Sequence, residues 1–510
     1  MSTVNFSLSK TINESHGKEV YCCAFSTDIH EGYNKVYEDV DATPSKPQKD
    51  DSIHSNEDGV IVLDSDSDDE VKYKTQSFDC YYMATCAGNF VTIYQIQKKN
   101  EKPGPIYTNT YKKNHNIPSR EEDLKNTFQP EAQNDMVVRQ VYQDPDKGEN
   151  FYCCVFAGRS LIENSLKINT EPSKVHAEHE SDGNVGDYTN KFYSGTNQKN
   201  LVEGPQLLCF AGKGGSIKII DTVQKKLIYD LVGHTGGVWD LKAHPSNEHL
   251  LLSAGQDESI RLWNLKYPTL IAVFSGVQGH RDAVISIAWH PSGEYFMSAG
   301  MDGIVRMWSI MTPEVQQAIE KSFEPPFVQP NKYYSDQVRN GGRDTSLFDT
   351  AVHMQPFWYS KEMHHEFIDC VQFIGDLIVS KATTCKVSIW APELPDDKVH
   401  TIAGQDAINI DYSGVCHHLV DYTNPYAQEW YVRFCTDKRG LFLVCGNCAG
   451  DIRVYEVDEP SRELARLNTP VNAIVRMVQF SPDEKVLVAC FDGGVVCKYN
   501  VQWSPRKRKA

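Results

Sequence analysis

Two stretches of this chain superimpose with little adjustment: "GHTGGVWDLKAHPSNEHLLLSAGQDESIRLWNL" from residue 233 and "GHRDAVISIAWHPSGEYFMSAGMDGIVRMWSI" from residue 279. Asp257 and Asp302 stand 45 residues apart, as do Trp263 and Trp308. A fixed period of this length marks a repeat architecture, in which one unit cannot bury its own faces and stacks on its neighbours. Relaxing the pattern to strand, tight polar turn and strand with an aromatic or apolar end gives five more copies. They are "YMATCAGNFVTIYQI", "LLCFAGKGGSIKIID", "LIVSKATTCKVSIWA", "LFLVCGNCAGDIRVYEV" and "VLVACFDGGVVCKYN". Seven such hairpins predict an all-β, seven-bladed propeller, because a closed ring leaves few strand edges exposed. Such a ring is commonly closed by an outer strand lent from the other terminus, and "VNFSLSK" near the start is the expected donor.

The period, the GH start and the aromatic end resemble the WD40 repeat. His234 and His280, Ser253 and Ser298, Asp257 and Asp302, Trp263 and Trp308 then supply an intrablade hydrogen-bond network. A buried Asp is tolerable only when so paired, which makes these residues structural.

Length agrees with this reading. Four polar stretches, near 27–80, 99–149, 158–203 and 311–366, interrupt the 510 residues and leave about 43 per blade, within the range for such units. Insertions of that size without structure of their own are flexible or functional, and much of the first three is expected to be disordered. The propeller is thus expected over residues 1–500, with a basic tail over 501–510.

The net charge of -17 is concentrated locally, since residues 50–70 alone hold nine Asp or Glu and no Lys or Arg. Such acidity disfavours wrapping nucleic acid through phosphate neutralisation, so no sequence-specific nucleic acid is expected as a partner, and it suits a basic one such as a histone tail. The 15 cysteines are dispersed, and the first thirty residues hold no signal-peptide apolar core, so reduced thiols are expected. Cys445 and Cys448 form the one CxxC; without a second pair or a His-x3-His it predicts no zinc site, and no metal or cofactor is expected. No apolar stretch approaches the roughly 20 residues that cross a bilayer, and a soluble protein is expected.

The innermost strand of each blade starts at one rim of the channel, so residues at matching positions form a ring. Aligning the seven strands by their last large residue gives "YCCAF", "YCCVF", "WDLKA", "ISIAW", "DCVQF", "WYVRF" and "RMVQF". Their first residues are Tyr21, Tyr152, Trp239, Ile285, Asp369, Trp430 and Arg476. Ring closure makes blades six, seven, one and two contiguous, which gathers Trp430, Arg476, Tyr21 and Tyr152, with Tyr431 alongside. Several aromatic faces around a small space attract a methylated ammonium, at about 0.5 to 2 kcal/mol per well-placed ring. Packing between blades is the structural alternative for each ring. Asp369 could receive a basic side chain or pair with Arg433 or Arg476.

At this point the residues carry a specific resemblance. The long block from "GHTGGVWDLKAHP" to "YFMSAGMD", with "FIDCVQFIGDLIVSK" and "EWYVRF", is similar to the EED/Extra sex combs family, the WD40 subunit of Polycomb repressive complex 2. The resemblance covers nearly all the repeat-bearing chain and is weak in the insertions. It implies a non-catalytic nuclear scaffold whose aromatic cage reads trimethyl-lysine on histone H3, stimulates an Enhancer of zeste SET-domain methyltransferase, works beside a Su(z)12-type subunit and represses transcription. The family's cage positions fall on Tyr21, commonly Phe in the family, and on Tyr152, Trp430 and Tyr431. Asp369, Arg433 and Arg476 match its peptide-contacting rim. Trp239 is expected on the same peptide-contacting rim but departs from the family, since a polar side chain is usual there. The opposite face would grip an amphipathic helix of the methyltransferase, through residues the sequence does not name.

Two further segments stand apart. Val60, Ile61, Val62 and Leu63 beside an acidic, serine-containing block resemble a SUMO-interacting motif, in which the apolar run adds a strand to a partner sheet. Arg506 to Lys509 are four consecutive basic residues, suited to nuclear import. The competing classes are a WD40 adaptor such as a ubiquitin-ligase substrate receptor, whose WDxR box is absent from "LWNLK" and "MWSIM", and a propeller enzyme, which would need converging carboxylates or a metal set at the channel.

Overall fold

The computed structural model describes residues 2–26, 30–37, 70–97, 106–112, 136–158, 207–222, 225–324, 349–394, 414–459 and 462–505. Seven sheets follow one another along the chain, one per predicted blade. Their innermost strands are Val20–Phe25, Phe151–Phe156, Val238–Ala243, Val284–Trp289, Ile368–Ile374, Phe434–Thr436 and Val475–Phe480, in blades 1 to 7. Second strands such as Leu250–Gly255 and Tyr295–Gly300 are buried at every residue, because each blade is covered on both faces by its neighbours. That is why these strands read as continuous apolar runs rather than alternating ones. Outer strands such as Lys226–Leu231 carry the polar residues. The seventh blade is completed by Ser2–Asn13, paired antiparallel with Val495–Pro505, so the N-terminal segment is the closing strand, as its sequence led one to expect. This last strand runs to Pro505, five residues beyond the expected end of the propeller.

The polar stretches are less empty than their composition suggests. Within the fourth, a helix, Pro313–Ser322, packs Val315 and Ala318 into the apolar layer shared by blades 3 and 4, Ala351–His353 adds a parallel fifth strand to blade 3, and Trp358–Ser360 is the outer strand of blade 4. The second contains the outer strand of blade 1, Met136–Gln143. A second compact unit, Ile29–Tyr81 with Ile96–Val137, has its own strand pairing: His30–Tyr37 and Ile106–Lys112 each lie antiparallel to the strand that starts at Glu70. The SUMO-type motif, most of the acidic block and Arg506 to Lys509 lie outside the described residues.

The intrablade networks form as expected. In blade 4, His280 Nδ1 lies 3.0 Å from Asp302 and its Nε2 2.7 Å from Ser298 Oγ, which accepts the Trp308 indole N–H at 2.9 Å. Blade 3 repeats this with His234, Asp257, Ser253 and Trp263. A neutral imidazole with its proton on Nδ1 satisfies every member. Burial lowers the pKa of both histidines, and hydrogen bonds from them help hold both carboxylates well below the ordinary range against burial.

One feature of the backbone decides where the rim side chains point. In six blades the pairing of the first and second strands skips one residue at the rim, and the skipped residues are Tyr21, Tyr152, Trp239, Ile285, Asp369 and Arg476. A bulge of this kind leaves one residue unpaired and re-aims its side chain. The sixth blade differs from the alignment made on the sequence. Phe434 there pairs with Cys445, the counterpart of Cys22 pairing with Cys86 in blade 1, so Arg433 and not Trp430 holds the ring position. The alignment slips by three residues because Phe434 begins its strand, whereas the large residues used to align the other blades end or nearly end theirs.

Candidate functional site

Trp430 and Tyr431 therefore lie on the approach to blade 6 rather than on a strand, and no strand alternation separates them. Tyr431 has φ +60°, a left-handed conformation rare for an aromatic residue. Its ring packs against the ring of Trp430, with centroids 5.9 Å apart, and not on an opposite face. Strain of this sort persists only where the surroundings over-determine it. Here the Tyr431 hydroxyl donates to the carbonyls of Tyr152 at 2.7 Å and Trp239 at 2.8 Å, and Val432 N–H donates to Asp369. Arg433 N–H donates to the Arg476 carbonyl, and Arg433 Nη2 to the Ile285 carbonyl at 2.8 Å. Rim carbonyls of blades 2, 3, 4 and 7 are thus taken up by one segment of blade 6.

Above this clasp the rings converge. Tyr21 meets Tyr152 and Tyr431 edge to face at 5.4 and 5.6 Å, and Tyr152 lies 6.4 Å from Tyr431. Trp239 stacks on Tyr152 at 4.4 Å, meets Trp430 edge to face at 5.2 Å, and lies 6.3 Å from Tyr431. Tyr21, Tyr152, Trp239 and Trp430 are each partly exposed, while Tyr431 is 1% exposed and forms the floor. Burial raises the pKa of all three tyrosines, which keeps them neutral phenols.

The four residues expected to form a cage are thus brought together. The expected peptide-contacting rim divides. Arg476 stays partly exposed: its guanidinium grips Asp492 through two nitrogens at 2.8 Å, donates to the Trp430 carbonyl at 3.0 Å and lies 5.6 Å from the Tyr21 ring centre. Asp369 and Arg433 are buried and paired from within, although Arg433 Nε has no hydrogen-bond partner among the described residues, and burial takes both out of reach of a peptide. Asp369 is 0% exposed and paired with Lys381 at 2.9 Å, not with either arginine. Arg433 pairs with Asp240 at 3.0 Å and lies 4.5 Å from the Tyr431 ring centre. Burial alone would lower the Arg433 pKa; the Asp240 carboxylate outweighs it and holds the guanidinium charged. Asp240 in turn is held below its usual range, against burial, by Arg433 and Lys242. Sequence reasoning overlooked Asp240 and Lys381, although Lys381 is a lone charge inside an apolar strand and Asp240 points into the core, so each requires a buried partner.

A cavity of about 330 Å³ adjoins Trp430, lined also by Met301, Phe367, Thr383, Gln428 and Glu429. Among the described residues, no cluster of His, Cys, Asp and Glu is arranged to hold a metal ion, and no helix is long and apolar enough to cross a membrane.

The WD domain, G-beta repeat family matches residues 225–264 and 269–309, from the outer strand of the second blade through the third blade to the first three strands of the fourth. The Polycomb protein esc of Drosophila virilis is 30% identical over 313 residues, 61% of this chain and 69% of that protein. That of Musca domestica is 32% identical over 313 residues, 61% and 68% of the two chains. The Polycomb group protein FIE1 of rice, Oryza sativa subsp. japonica, is 32% identical over 302 residues, 59% and 58%. A chain in a Chaetomium thermophilum Polycomb Repressive Complex 2 structure has the same fold at 15% identity, with TM-score 0.57 over 98% of this chain and 99% of that one. A further structure of that complex, with trimethylated histone H3, matches at TM-score 0.54 and 14% identity over 99% of each chain. The seven-bladed WD40 propeller described here belongs to the family of the Polycomb protein esc.

Proposed function

We propose that this chain is the non-catalytic, methyl-lysine-reading subunit of a nuclear Polycomb repressive complex 2, and that it takes trimethyl-lysine of histone H3 at the rim built by Tyr21, Tyr152, Trp430 and Tyr431. The observation that carries this reading is the convergence of rings from blades 1, 2 and 6, with centroids 5.4 to 6.4 Å apart, at a mouth where Tyr21, Tyr152 and Trp430 keep part of their surface open. A trimethylammonium has no N–H to donate and is weakly hydrated. Ring faces attract it. The cavity beside Trp430 gives a flanking residue of the peptide somewhere to lie, and Glu429 on its wall suits a basic one.

In this reading the occupied rim biases a bound Enhancer of zeste-type methyltransferase, with a Su(z)12-type subunit, toward its active state. Such coupling requires the marked peptide to bind one state of the complex more tightly than the other. The test is a titration of un-, mono-, di- and trimethyl-lysine H3 peptides against the wild-type chain and Trp430→Ala. Affinity should rise with methylation and fall at least about tenfold in the variant, the loss of roughly one strong ring contact. Equal or better binding of the unmethylated peptide would overturn the reading. The coupling is tested apart from it, by the turnover of a reconstituted complex with and without trimethyl-lysine peptide; unchanged turnover removes the coupling alone.

A further inference from the structure

Trp239 occupies the space of a ligand rather than the place of a wall. A cation bound by aromatic faces sits within about 6 Å of each ring centre. The Trp239 ring itself sits 4.4 Å from Tyr152, 5.2 Å from Trp430 and 6.3 Å from Tyr431. The Tyr152 contact is a parallel stack at 22°, so the indole covers that face, and a stack of 4.4 Å leaves no room for an ammonium between the two. The same indole also meets Trp430, which is partly exposed, edge to face.

A second observation concerns how the indole is held. Its Nε1–H is buried and has no hydrogen-bond partner among the described residues, in contrast to Trp263, Trp308 and Trp390, whose indoles each donate to a serine hydroxyl at 2.8 to 2.9 Å. The Trp358 indole also lacks a partner among the described residues, but that ring is 2% exposed and enclosed in the apolar core, whereas Trp239 is partly exposed at the rim. Trp239 is held by ring contacts alone, with an unmet donor that solvent would satisfy if the side chain turned outward. Its backbone is fixed independently, because the Trp239 carbonyl accepts from Tyr431 and the bulge frees its side chain from the strand pairing.

We propose that Trp239 is an internal plug of the aromatic site: in the free protein its indole fills the position of the methylammonium, and the ligand binds by displacing it. This rests on the methyl-lysine reading above. The plug sets specificity as well as affinity. Only a ligand that gains more from Tyr152 and Trp430 than the indole does can open the site, which favours the fully methylated ammonium over less methylated forms.

The experiment uses the full chain, an H3 peptide with one trimethyl-lysine, and stopped-flow association beside equilibrium titration. Trp239→Ala and Trp239→Asn should bind about tenfold more tightly, the gain expected if the open state holds about a tenth of the free protein, and the gain should lie in the association rate. Trp239→Phe, which leaves a smaller plug and keeps the packing, should fall between them and the wild type, and it carries the test should the smaller side chains unfold the rim. Weaker or unchanged binding in these variants, with the wild type binding, overturns the plug and leaves the reader intact. Tighter binding that survives addition of Trp430→Ala places the gain elsewhere and also overturns it. Absence of binding by wild type and Trp239→Ala alike removes the reader and the plug together.

Discussion

In blade 4 the buried polar set of His280, Ser298, Asp302 and Trp308 closes within one sheet, whereas at the approach to blade 6 Tyr431 and Arg433 send their donors to other blades. Both solve the same problem, that a buried polar group must be paired. The first arrangement makes a blade stable by itself and could be copied at any place in the ring. The second makes the rim of blades 2, 3 and 4 depend on a single segment. The proposed site lies where that dependence is, since the residues that hold the rim together also present Trp430 and Tyr431 to it.

The largest expected effect breaks the clasp. Arg433→Met removes the buried partner of Asp240, which is 2% exposed, and leaves its carboxylate buried with only the part-exposed Lys242 at 3.2 Å. Urea denaturation should show a loss of about 3 to 5 kcal/mol, the usual cost of stranding half of a buried ion pair. Adding Asp240→Asn should recover part of that loss. A cost below about 1 kcal/mol would mean that the clasp is incidental to the rim.

Blade 5 sharpens the comparison, because it has the intrablade set without its acid. His364 Nε2 lies 2.6 Å from Ser380 Oγ, which accepts from Trp390, while Thr384 stands in the chain where blade 4 has Asp302. Burial pushes His364 down to about 4, with Lys381 and His365 adding to the effect of burial and Asp421 opposing it. The unfolded chain therefore takes up this proton first as pH falls. The contribution of a neutral His364 is complete above about 6.5 and is lost as pH drops toward 4, on the order of 3 kcal/mol across that window. Stability measured by denaturation between pH 7 and pH 4 should carry this slope, and His364→Gln should remove it. A slope that persists in the variant assigns the proton to another group.

How much of this was legible follows the same division. The tetrads repeat at a fixed spacing, so His234, Ser253, Asp257 and Trp263 predict their own partners, and the hairpins predict the blades. The closing strand was legible as well, because an incomplete last blade needs an edge partner. The clasp was not, since its bonds run from side chains to backbone carbonyls that only the bulges expose, and a bulge has no residue type of its own. The three-residue slip in blade 6 has the same source: Phe434 looks like the end of a strand, and nothing in "EWYVRF" states that Tyr431 takes a left-handed turn. Trp239 was legible as a rim position and as a departure from the resemblance, without the contacts that give it a role.

The smallest effect separates holding from presenting at one residue. Tyr431→Phe keeps the ring that meets Tyr21 at 5.6 Å and removes only the hydroxyl that donates to the Tyr152 and Trp239 carbonyls. Two carbonyls then lose a shared donor, so stability should fall by about 1 kcal/mol, the net worth of a typical hydrogen bond. Trimethyl-lysine affinity should change by less than about threefold, since the ring face that attracts the cation remains. A loss of binding as large as that of Trp430→Ala would show that the hydroxyl sets the spacing of Tyr152 and Trp239. In that case the clasp and the cage are one device, and the distinction between blade 4 and blade 6 is one of function as much as of bonding.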